Sequence, residues 1–439
     1  GRAFTTDGYF VVPEEVRGAV DRKANVRFVT GDTRLDLLGT NQRLFLKFDV
    51  LAEERANGTA AQTNSTTLGN LAGHYFRESD RNGITVLAYH TRGEFRSFFS
   101  AIAASRNTET VTTIQSVPAE ATGGAGLWRH TGAGWHSLVG ADFHRVEGFS
   151  NETVPATGVR RTAGGSQFQH GYFAQADAAM GPARLFLGTR YHFAGGGEHF
   201  LSPSAGLVGA VGRLRMRGSV YRSFRAPTLN ELHREFRAGN VVTRANERLA
   251  PESLFGAEVG IDLAGESSRV SVTAYRNSLD DLITNVTLSV APNLIVRQRQ
   301  NADKALTRGV EVEARRRWGR LTGEAAYLFA GSRFRAAARV PQVPKHQGSA
   351  QLSYAAAGTL VSLGLRAYAF QFEDDANLFV LPGFAYLHFA VRRRLARQLF
   401  AVGGVENLLD RRYLVGFTPT PQIGAPLLWR AGLRWEGGR

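Results

Sequence analysis

The feature of this sequence that most constrains its fold is an alternation of apolar and charged residues with a period of two. In segment 43–50 the even positions are apolar and the odd positions are mostly charged: Leu44, Leu46, Phe48 and Val50 against Arg43, Lys47 and Asp49. Successive side chains of a β-strand point to opposite faces, so such a strand has one apolar and one charged face. The same pattern occurs in segments 184–193, 213–222, 310–315, 321–329 and 427–436. The chain is therefore predicted to be all-β.

Two architectures give strands of this kind. A soluble β-sandwich buries the apolar face in a core, whereas a transmembrane β-barrel turns it towards lipid and keeps polar side chains in its lumen. Short turns alternate here with long polar stretches, as periplasmic turns and extracellular loops do in outer-membrane barrels. The short turns are 265–268, 318–320 and 356–358, and the predicted long loops are 225–251, 284–304, 331–345 and 371–380.

Aromatic residues near the segment ends are typical of the girdles that mark the two membrane interfaces of a barrel. They are Tyr221, Phe224, Tyr327, Phe329, Tyr368, Phe370, Trp429 and Trp435. In hydrocarbon every backbone N–H and C=O must pair within the protein, so an all-strand chain must close on itself. The pattern favours an all-β, transmembrane antiparallel up-and-down β-barrel. A soluble β-protein with several sandwich domains is the alternative.

The composition excludes several other classes. Cysteine is absent from the 439 residues, which excludes disulfides, thiolate zinc sites and cysteine nucleophiles. No run of roughly 18 apolar residues occurs, so no transmembrane helix is predicted. The 53 basic and 38 acidic residues give a net charge of +15, which raises the question of nucleic-acid binding. Arginine is spread along the whole chain and no nucleic-acid-binding motif is found, so no nucleic-acid partner is predicted.

One stretch is more specific than the alternation. Residues 221–232 read Tyr-Arg-Ser-Phe-Arg-Ala-Pro-Thr-Leu-Asn-Glu-Leu, and Gly239-Asn240, Asn246, Leu249 and Pro251-Glu252 follow. This stretch resembles the TonB-dependent receptors of the bacterial outer membrane. In that family a strand ends in Phe-Arg-Ala-Pro, and the next strand begins after an Asn-Pro-Asn-Leu-like box and a Pro-Glu. The box here reads Asn246-Glu247-Arg248-Leu249 and lacks the internal proline.

Further stretches resemble elements of the same family and keep its order. They are Thr6-Asp7-Gly8-Tyr9, Tyr275-Arg276-Asn277 with 279–283, Arg308-Gly309-Val310-Glu311, segment 341–346 and segment 406–413. Most of these residues are predicted to be architectural. Pro227 ends a strand because it lacks the ladder N–H, Gly309 relieves crowding at a strand start, and Asn407 and Asp410 form turns before the last hairpin.

The resemblance implies a barrel of the 22-strand receptor type, with about 19 to 20 strands in this chain. Residues 1–439 are then expected to be barrel only, because nothing in them resembles the plug domain, the energy-coupling box or a signal peptide of the family. We therefore expect a C-terminal portion that lacks the plug and the first strands. Barrels of this type commonly end on an aromatic residue, whereas here Glu436 to Arg439 follow Trp435.

No catalytic constellation is found, and neither an enzymatic activity nor a cofactor is predicted. The carboxylate pairs 53–54, 280–281 and 374–375 lie in predicted loops, where solvated charge is the usual interpretation and calcium binding the alternative. His136 and Ser137 are neighbours that would face opposite sides of a strand, which disfavours a barrel hydrolase. His233 lies where haem-transporting relatives carry a functional histidine, but a packing role in the loop is favoured.

The resemblance implies an outer-membrane receptor that binds a scarce solute, a ferric siderophore or a similar chelate, and imports it with inner-membrane energy. The implied partners are outer-membrane lipid, the small-molecule solute and a TonB-type complex acting through a plug, and a monomer is expected. The predicted substrate contacts are Arg225, Asn230, Glu231, His233, Arg237 and Asn240. An arginine-rich lumen would attract anionic solutes, although arginine can equally pair with glutamate across the wall. The alternative function is a plugless, porin-like or structural barrel.

Overall fold

The computed structural model describes residues 1–195, 197–238, 241–291, 294–418 and 420–436, and these residues are almost entirely β-strand. The first strands are β1 (Arg2–Tyr9), β2 (Ala24–Leu38), β3 (Gln42–Ala56), β4 (Thr63–Glu78), β5 (Asn82–Ile102), β6 (Glu109–Thr131), β7 (Trp135–Val154), β8 (Val159–Met180), β9 (Ala183–Gly195), β10 (Glu198–Val211) and β11 (Leu214–Arg225). A short 3-10 helix covers Glu14–Val16, and helix α1 covers Leu229–His233.

The remaining strands are β12 (Phe236–Ala238), β13 (Val241–Arg244), β14 (Glu252–Ala264), β15 (Ser268–Ala291), β16 (Leu294–Trp318), β17 (Leu321–Phe334), β18 (His346–Ala356), β19 (Thr359–Tyr368), β20 (Gln371–Phe372), β21 (Val380–Leu381), β22 (Phe384–Arg394), β23 (Leu399–Glu406), β24 (Leu414–Gly416), β25 (Gln422–Ile423) and β26 (Leu428–Trp435). The segments with period-two alternation all fall within these strands or within one residue of them, as predicted.

One 22-stranded sheet dominates the structure. Strands β12 and β13 form a hairpin in the connection between β11 and β14, and β13 pairs in parallel with β16. The other 20 strands of the sheet follow one another as an antiparallel meander, which confirms the predicted up-and-down topology and strand number. No helix among the described residues is both long and apolar enough to cross a membrane.

The apolar rows of the strands are exposed and do not form a core. Leu46, Phe48 and Val50 of β3 are 43%, 50% and 41% exposed, and Trp429 of β26 is 75% exposed. Buried apolar side chains are few in the part of the chain that the structure describes: Val12, Val20, Ala194, Leu249, Ala305, Ala330, Leu381 and Phe400. A soluble sandwich would bury these rows, so the exposed apolar face is the one expected to meet lipid.

The polar face of the sheet lies inside. The connection between β11 and β14, residues 226–251, contacts polar-face residues of two distant strands: Arg234 binds Glu152 of β7, and Arg299 of β16 binds the carbonyl oxygen of Asn230. Six strands of the sheet separate β7 from β16. Asn230 and Arg234 are four residues apart in the chain, so they can reach both strands only if the polar face is concave. We therefore call the polar face inner and the apolar face outer.

The turns alternate between two ends of the sheet, as predicted. The connections after β14, β16 and β18 are tight, whereas those after β11, β17 and β19 are long. The expectation of a loop at 284–304 is wrong, because this segment continues β15 and β16 as a long hairpin with cross-strand pairing from Ile283–Asn301 to Ala291–Leu294. Val286 and Leu288 alternate there with Asn285, Thr287 and Ser289, which is the period-two pattern of extended backbone.

Two of the aromatic residues predicted to form the girdle lie on the inner face and not on the outer face. The hydroxyl of Tyr221 donates to Glu258 at 2.9 Å on the inner face, and Tyr368 stacks on Phe384 there, with ring centroids 5.0 Å apart. Tyr327, Trp429 and Trp435 occupy the outer face and are exposed, as a girdle requires. Gly309 also differs from its prediction, since it lies in the middle of β16 and not at a strand start.

The two edge strands of the meander are β1 and β26. Among the described residues β1 pairs with β2 and β26 pairs with β23, and no hydrogen-bonded ladder joins β1 to β26. The long loops approach each other at this point, because the amide of Ile423 donates to the carbonyl oxygen of Val11 at 2.8 Å. The strand lengths are uneven, with 24 and 25 residues in β15 and β16 against 11, 10 and 11 in β18, β19 and β22.

Candidate functional site

The connection between β11 and β14 carries most of the residues that the sequence singled out, and we call residues 226–251 the mouth loop. Pro227 follows the end of β11, and helix α1 begins directly after Thr228. The hydroxyl of Thr228 accepts from the amide of Glu231 at 3.3 Å, and the amide of Thr228 donates to the Glu231 carboxylate at 2.7 Å. This reciprocal capping satisfies amides that the first turn leaves free, which explains why so short a helix forms here.

Arg225 ties the mouth loop to the wall through two carboxylates. Its guanidinium donates to Glu252, the opposite residue on β14, at 2.7 and 2.8 Å, and to Glu231 of α1 at 3.0 and 3.1 Å. Both carboxylates raise the pKa of Arg225, which stays charged. Burial raises the pKa of Glu231, but the hydrogen bonds from Arg225 and Thr228 outweigh it, so this pKa lies below its usual range.

The far end of α1 is held by arginine from the opposite side. Arg299 of β16 donates to the carbonyl oxygens of Asn230 and Arg234 at 2.7 and 2.9 Å, and that of Asn230 also accepts from the amide of Arg234 at 3.2 Å. The guanidinium carbons of Arg299 and Arg234 lie 5.3 and 6.0 Å from the ring centre of Phe236. Burial lowers the pKa of Arg299, and nearby Arg234 adds to this effect.

Arg234 also fastens the mouth loop to β6 and β7. It donates to Glu152 at 3.1 Å, and the same carboxylate accepts from Gln115 at 3.0 Å and from Ser150 at 3.1 Å. Gln115 and Ser150 are almost fully buried. The mouth loop is therefore a folded element that lies across the inner face between β7 and β16.

The six predicted contacts are placed differently. Asn230 is exposed on α1, while Arg225 and Glu231 belong to the ion-pair cluster. His233 ends α1, with Nδ1 3.2 Å from Glu247 and its ring over Gly165 of β8. Arg237 lies in β12, and Asn240 lies outside the described residues. No group of three or more histidine, aspartate or glutamate side chains suited to a metal ion occurs among the described residues.

A cluster of aromatic residues at the mouth was not predicted as a site, and we call it the aromatic cluster: Tyr368, Phe384, Tyr386 and Tyr413. The rings of Phe384 and Tyr413 stack with their centroids 4.1 Å apart, and Tyr386 lies 6.0 Å from Tyr413. Burial raises the pKa of Tyr413, so its phenol keeps its proton at neutral pH. The sequence does carry a signal for this cluster, because Tyr368 is an aromatic residue at a strand end, but it lies on the inner face and not in the predicted girdle.

A cavity of about 670 Å³ opens beside the aromatic cluster. Loop 10–23 and loop 407–427 form it together, with Tyr9, Phe10, Arg17, Arg412 and Tyr413 among its lining residues. The guanidinium of Arg17 lies 4.2 Å from the ring centre of Phe10. Its lining holds four basic residues (Arg17, Lys23, Arg411 and Arg412) and three acidic ones (Glu14, Glu15 and Asp410). The cavity thus combines aromatic surface with a small excess of positive charge, which suits a planar, negatively charged ligand.

Neighbouring loops are joined by specific polar contacts around the mouth. Asp21 forms a buried ion pair with Arg106 at 2.5 Å, which joins loop 10–23 to loop 103–108. The amide of Arg339 donates to Asn377 at 2.7 Å, and the hydroxyl of Thr418 donates to Glu373 at 2.7 Å. These contacts order the loops before any ligand binds, which reduces the entropy cost of binding.

An inner polar face, an outer apolar face and loops ordered at one end define a barrel of the outer-membrane transport class. A family model described as "TonB dependent receptor-like, beta-barrel" matches residues 15–408. The chain belongs to the TonB-dependent receptor family. Members of this family are outer-membrane β-barrels that bind small-molecule substrates and interact with TonB. The comparison with curated protein sequences found no match.

Solved structures of transport receptors share the fold at low sequence identity. The copper transporter OprC has a TM-score of 0.79 and 14% identity over 98% of this chain and 76% of its own. The siderophore receptor PirA from Acinetobacter baumannii has a TM-score of 0.80 and 13% identity over 99% and 74%. A variant of the ferric enterobactin receptor PfeA from Pseudomonas aeruginosa has a TM-score of 0.76 and 15% identity over 97% and 72%.

Proposed function

We propose that the chain is the barrel of an outer-membrane receptor that captures an anionic metal chelate, a ferric siderophore or a similar compound. In this proposal an inner-membrane TonB-type complex supplies the energy for import into the periplasm, and the receptor acts as a monomer. The observation that carries the proposal is the mouth, where the cavity and the aromatic cluster combine phenol rings with Arg17 and Arg412. Siderophore receptors among the structural neighbours support it.

The barrel does no covalent chemistry in this mechanism. Aromatic rings bind the organic shell of the chelate and arginine attracts its negative charge. The six loop residues Arg225, Asn230, Glu231, His233, Arg237 and Asn240 are the proposed contacts on the mouth loop. Arg225 and Glu231 contribute by fixing α1, so that exposed Asn230 is presented towards the mouth.

Uptake of a radiolabelled iron chelate by cells that express the receptor tests the proposal. A receptor of this kind takes up one class of chelate, and a proton uncoupler abolishes uptake because import needs inner-membrane energy. The double variant Arg17→Gln/Tyr413→Ala should lower uptake at limiting chelate at least tenfold. As a matched control, Arg27→Gln alters an exposed arginine on the outer face of β2 and should leave uptake unchanged. Uptake that persists in uncoupled cells contradicts the proposal.

A plugless porin-like channel is the second candidate, favoured by the wide polar inner face of the sheet. It predicts steady conductance in a planar bilayer without an energy source, whereas a receptor with its plug in place stays nearly closed. The conductance of the full receptor therefore separates the two functions.

A further inference from the structure

The outer face carries charged residues directly above its apolar band, at the end where the long loops lie. On β2 to β7 these arginines stand beside carboxylates: Arg27 beside Glu54, Arg96 2.8 Å from Glu94, Arg145 3.1 Å from Glu147 and Arg92 3.9 Å from Glu120. The charge of this sector is therefore balanced within the protein.

The sector formed by β15, β16 and β17 is different. Arg276 of β15 and Arg308 of β16 are direct cross-strand partners on the outer face, and both side chains are exposed. Arg333 of β17 is also exposed and lies one row nearer the long loops, opposite Leu306. None of the three forms an ion pair with any side chain that the structure describes. Like charges directly opposite each other destabilise a sheet, so the geometry calls for an anion between them.

The residues on either side leave space for such an anion. In the row of Arg276 and Arg308, the neighbour on β14 is Ala257 and the neighbour on β17 is Gly331. Asp280, the carboxylate next along β15, is held by Lys304 at 2.6 Å. Two guanidinium groups with five N–H donors each, set between an alanine and a glycine, match the geometry of a phosphate.

The cross-strand row that contains Arg276 and Arg308 lies at the loop-side boundary of the apolar band. The next row towards the short turns contains Val259, Ala274 and Val310, and Val259 is 61% exposed. A membrane-spanning strand meets the headgroup layer where its apolar band ends, which places these two arginines at the depth of lipid phosphates.

An apolar groove of about 600 Å³ on the outer face leads to Arg276. Small residues line it: Gly218 lies between the larger side chains of Leu207 and Val259, and Ala257 and Ala274 lie beside Val259. The groove thus begins at Arg276, one of the two opposed arginines, and continues along lipid-facing strands.

We propose that this surface is a binding site for one phosphate-bearing membrane lipid. The phosphate of the headgroup lies between Arg276 and Arg308, Arg333 faces its outer side, and an acyl chain fills the groove. The apolar groove identifies the ligand as a lipid, because a free phosphate would make no use of it. The site is separate from the mouth and from solute transport.

Native mass spectrometry of the full chain in zwitterionic micelles tests the site, with phosphatidic acid and phosphatidylcholine of identical chains as probes. The natural protein should retain phosphatidic acid in preference to phosphatidylcholine. Arg276→Gln/Arg308→Gln should lower the affinity for phosphatidic acid roughly fivefold for each arginine, or roughly 25-fold in all. This variant removes a repulsive pair, so it should fold as the natural protein does.

The matched control is Arg92→Gln/Arg145→Gln, which removes two arginines from the same face where carboxylates already balance them; it should keep the preference. Gly218→Leu fills the groove without a backbone clash, since a Cβ there would meet its nearest neighbour at 3.7 Å, and should lower retention of both lipids. An equal loss of affinity for phosphatidic acid in the two double variants would overturn the proposal. Complete displacement of phosphatidic acid by inorganic phosphate would also overturn it, since the groove would then contribute nothing.

Discussion

The phenol ring of Tyr275 lies across Gly309, its direct cross-strand partner, so closely that a Cβ on Gly309 would stand 2.5 Å from the phenolic oxygen. The same arrangement recurs for Tyr89 over Gly123 and Tyr221 over Gly256 on the inner face. Each ring packs over the glycine backbone, in the space that a side chain at that position would fill. The relief of crowding predicted for Gly309 is therefore real, and it serves a tyrosine ring on the neighbouring strand.

These pairs predict different outcomes for two alanine substitutions. Gly256→Ala should destabilise the barrel by about 1–3 kcal/mol because the added methyl overlaps the Tyr221 ring, and Tyr221→Ala should restore the loss. Gly309→Ala should destabilise it similarly, but Tyr275→Ala should not restore it, because the carbonyl oxygen of Phe329 also occupies that space. Thermal unfolding measures both pairs. Gly126→Ala, where no atom lies within 4 Å, is the control, and a similar loss there would contradict the explanation.

The faces of β17 offer a direct test of the lipid-facing surface. Ala325 and Ala326 are neighbours, both are exposed, and they lie on the outer and inner face respectively. Ala325→Arg should destabilise the protein in bilayers by about 2–4 kcal/mol, whereas Ala326→Arg should cost little because its neighbours are polar. Unfolding by denaturant in lipid vesicles measures the difference. Equal effects would show that the apolar rows do not meet lipid.

The Arg225 cluster predicts opposite responses to pH. The lowered pKa of Glu231 stabilises the docked mouth loop above the unfolded pKa of about 4.3, and this contribution is lost as pH falls through the folded pKa. In Arg225→Gln the two carboxylates face each other without a cation, so docking should be weak at neutral pH and should improve on acidification.

A spin label can report this response because the chain has no cysteine of its own. Arg248→Cys places the label on an exposed residue of the mouth loop, and its mobility follows docking. The label should become mobile on acidification in the natural background and less mobile in Arg225→Gln. The same direction in both backgrounds would refute the role assigned to Arg225.

The buried pair of Asp21 and Arg106 should contribute more than an exposed pair. Its side chains are 2% and 11% exposed, and the hydrogen bond from Arg106 lowers the pKa of Asp21 against the opposing effect of burial. Removing either partner should destabilise the loops by about 3–5 kcal/mol because the other charge remains buried. Asp21→Ala/Arg106→Ala should cost less than the sum of the single variants.

An exposed pair gives the comparison for this measurement. Arg27 and Glu54 are 71% and 59% exposed, so Arg27→Ala should cost less than about 1 kcal/mol. Thermal unfolding at neutral pH and at a series of lower pH values measures all variants, and the advantage conferred by Asp21 should be lost as the pH falls through its lowered folded-state pKa. A cost for Asp21→Ala no larger than that for Arg27→Ala would contradict the assignment.

Much of the fold could be predicted because period-two alternation depends only on local geometry. The strands around Leu46, Leu214 and Trp429 follow from it directly, and the tight turns follow from glycine and polar residues between them. The hairpin at 284–304 was not predicted, although Val286 and Leu288 alternate with polar residues there, because the sequence Pro292-Asn293 at its centre is equally typical of a long loop. Tyr221 and Tyr368 were assigned to the wrong face because aromatic rings occur on both faces near strand ends.

The site was harder to predict. Arg225, Glu231 and Glu252 stand in one recognisable motif, but nothing local indicates that one guanidinium binds both carboxylates. Arg299 lies far along the chain in β16, and only the tertiary fold brings it to the end of α1. The cavity depends in the same way on loops 10–23 and 407–427, which lie near opposite ends of the sequence.

The uneven strands make the barrel wall taller on one side. β16 has 25 residues and β18 has 11, and their ends near the tight turns are level, so the whole difference lies on the loop side. At about 3.4 Å per residue and a tilt of about 40°, the hairpin of β15 and β16 rises roughly 35 Å above the loop end of β18. An antibody or any other particle too large for the pore would contact this raised hairpin before it reached the opening.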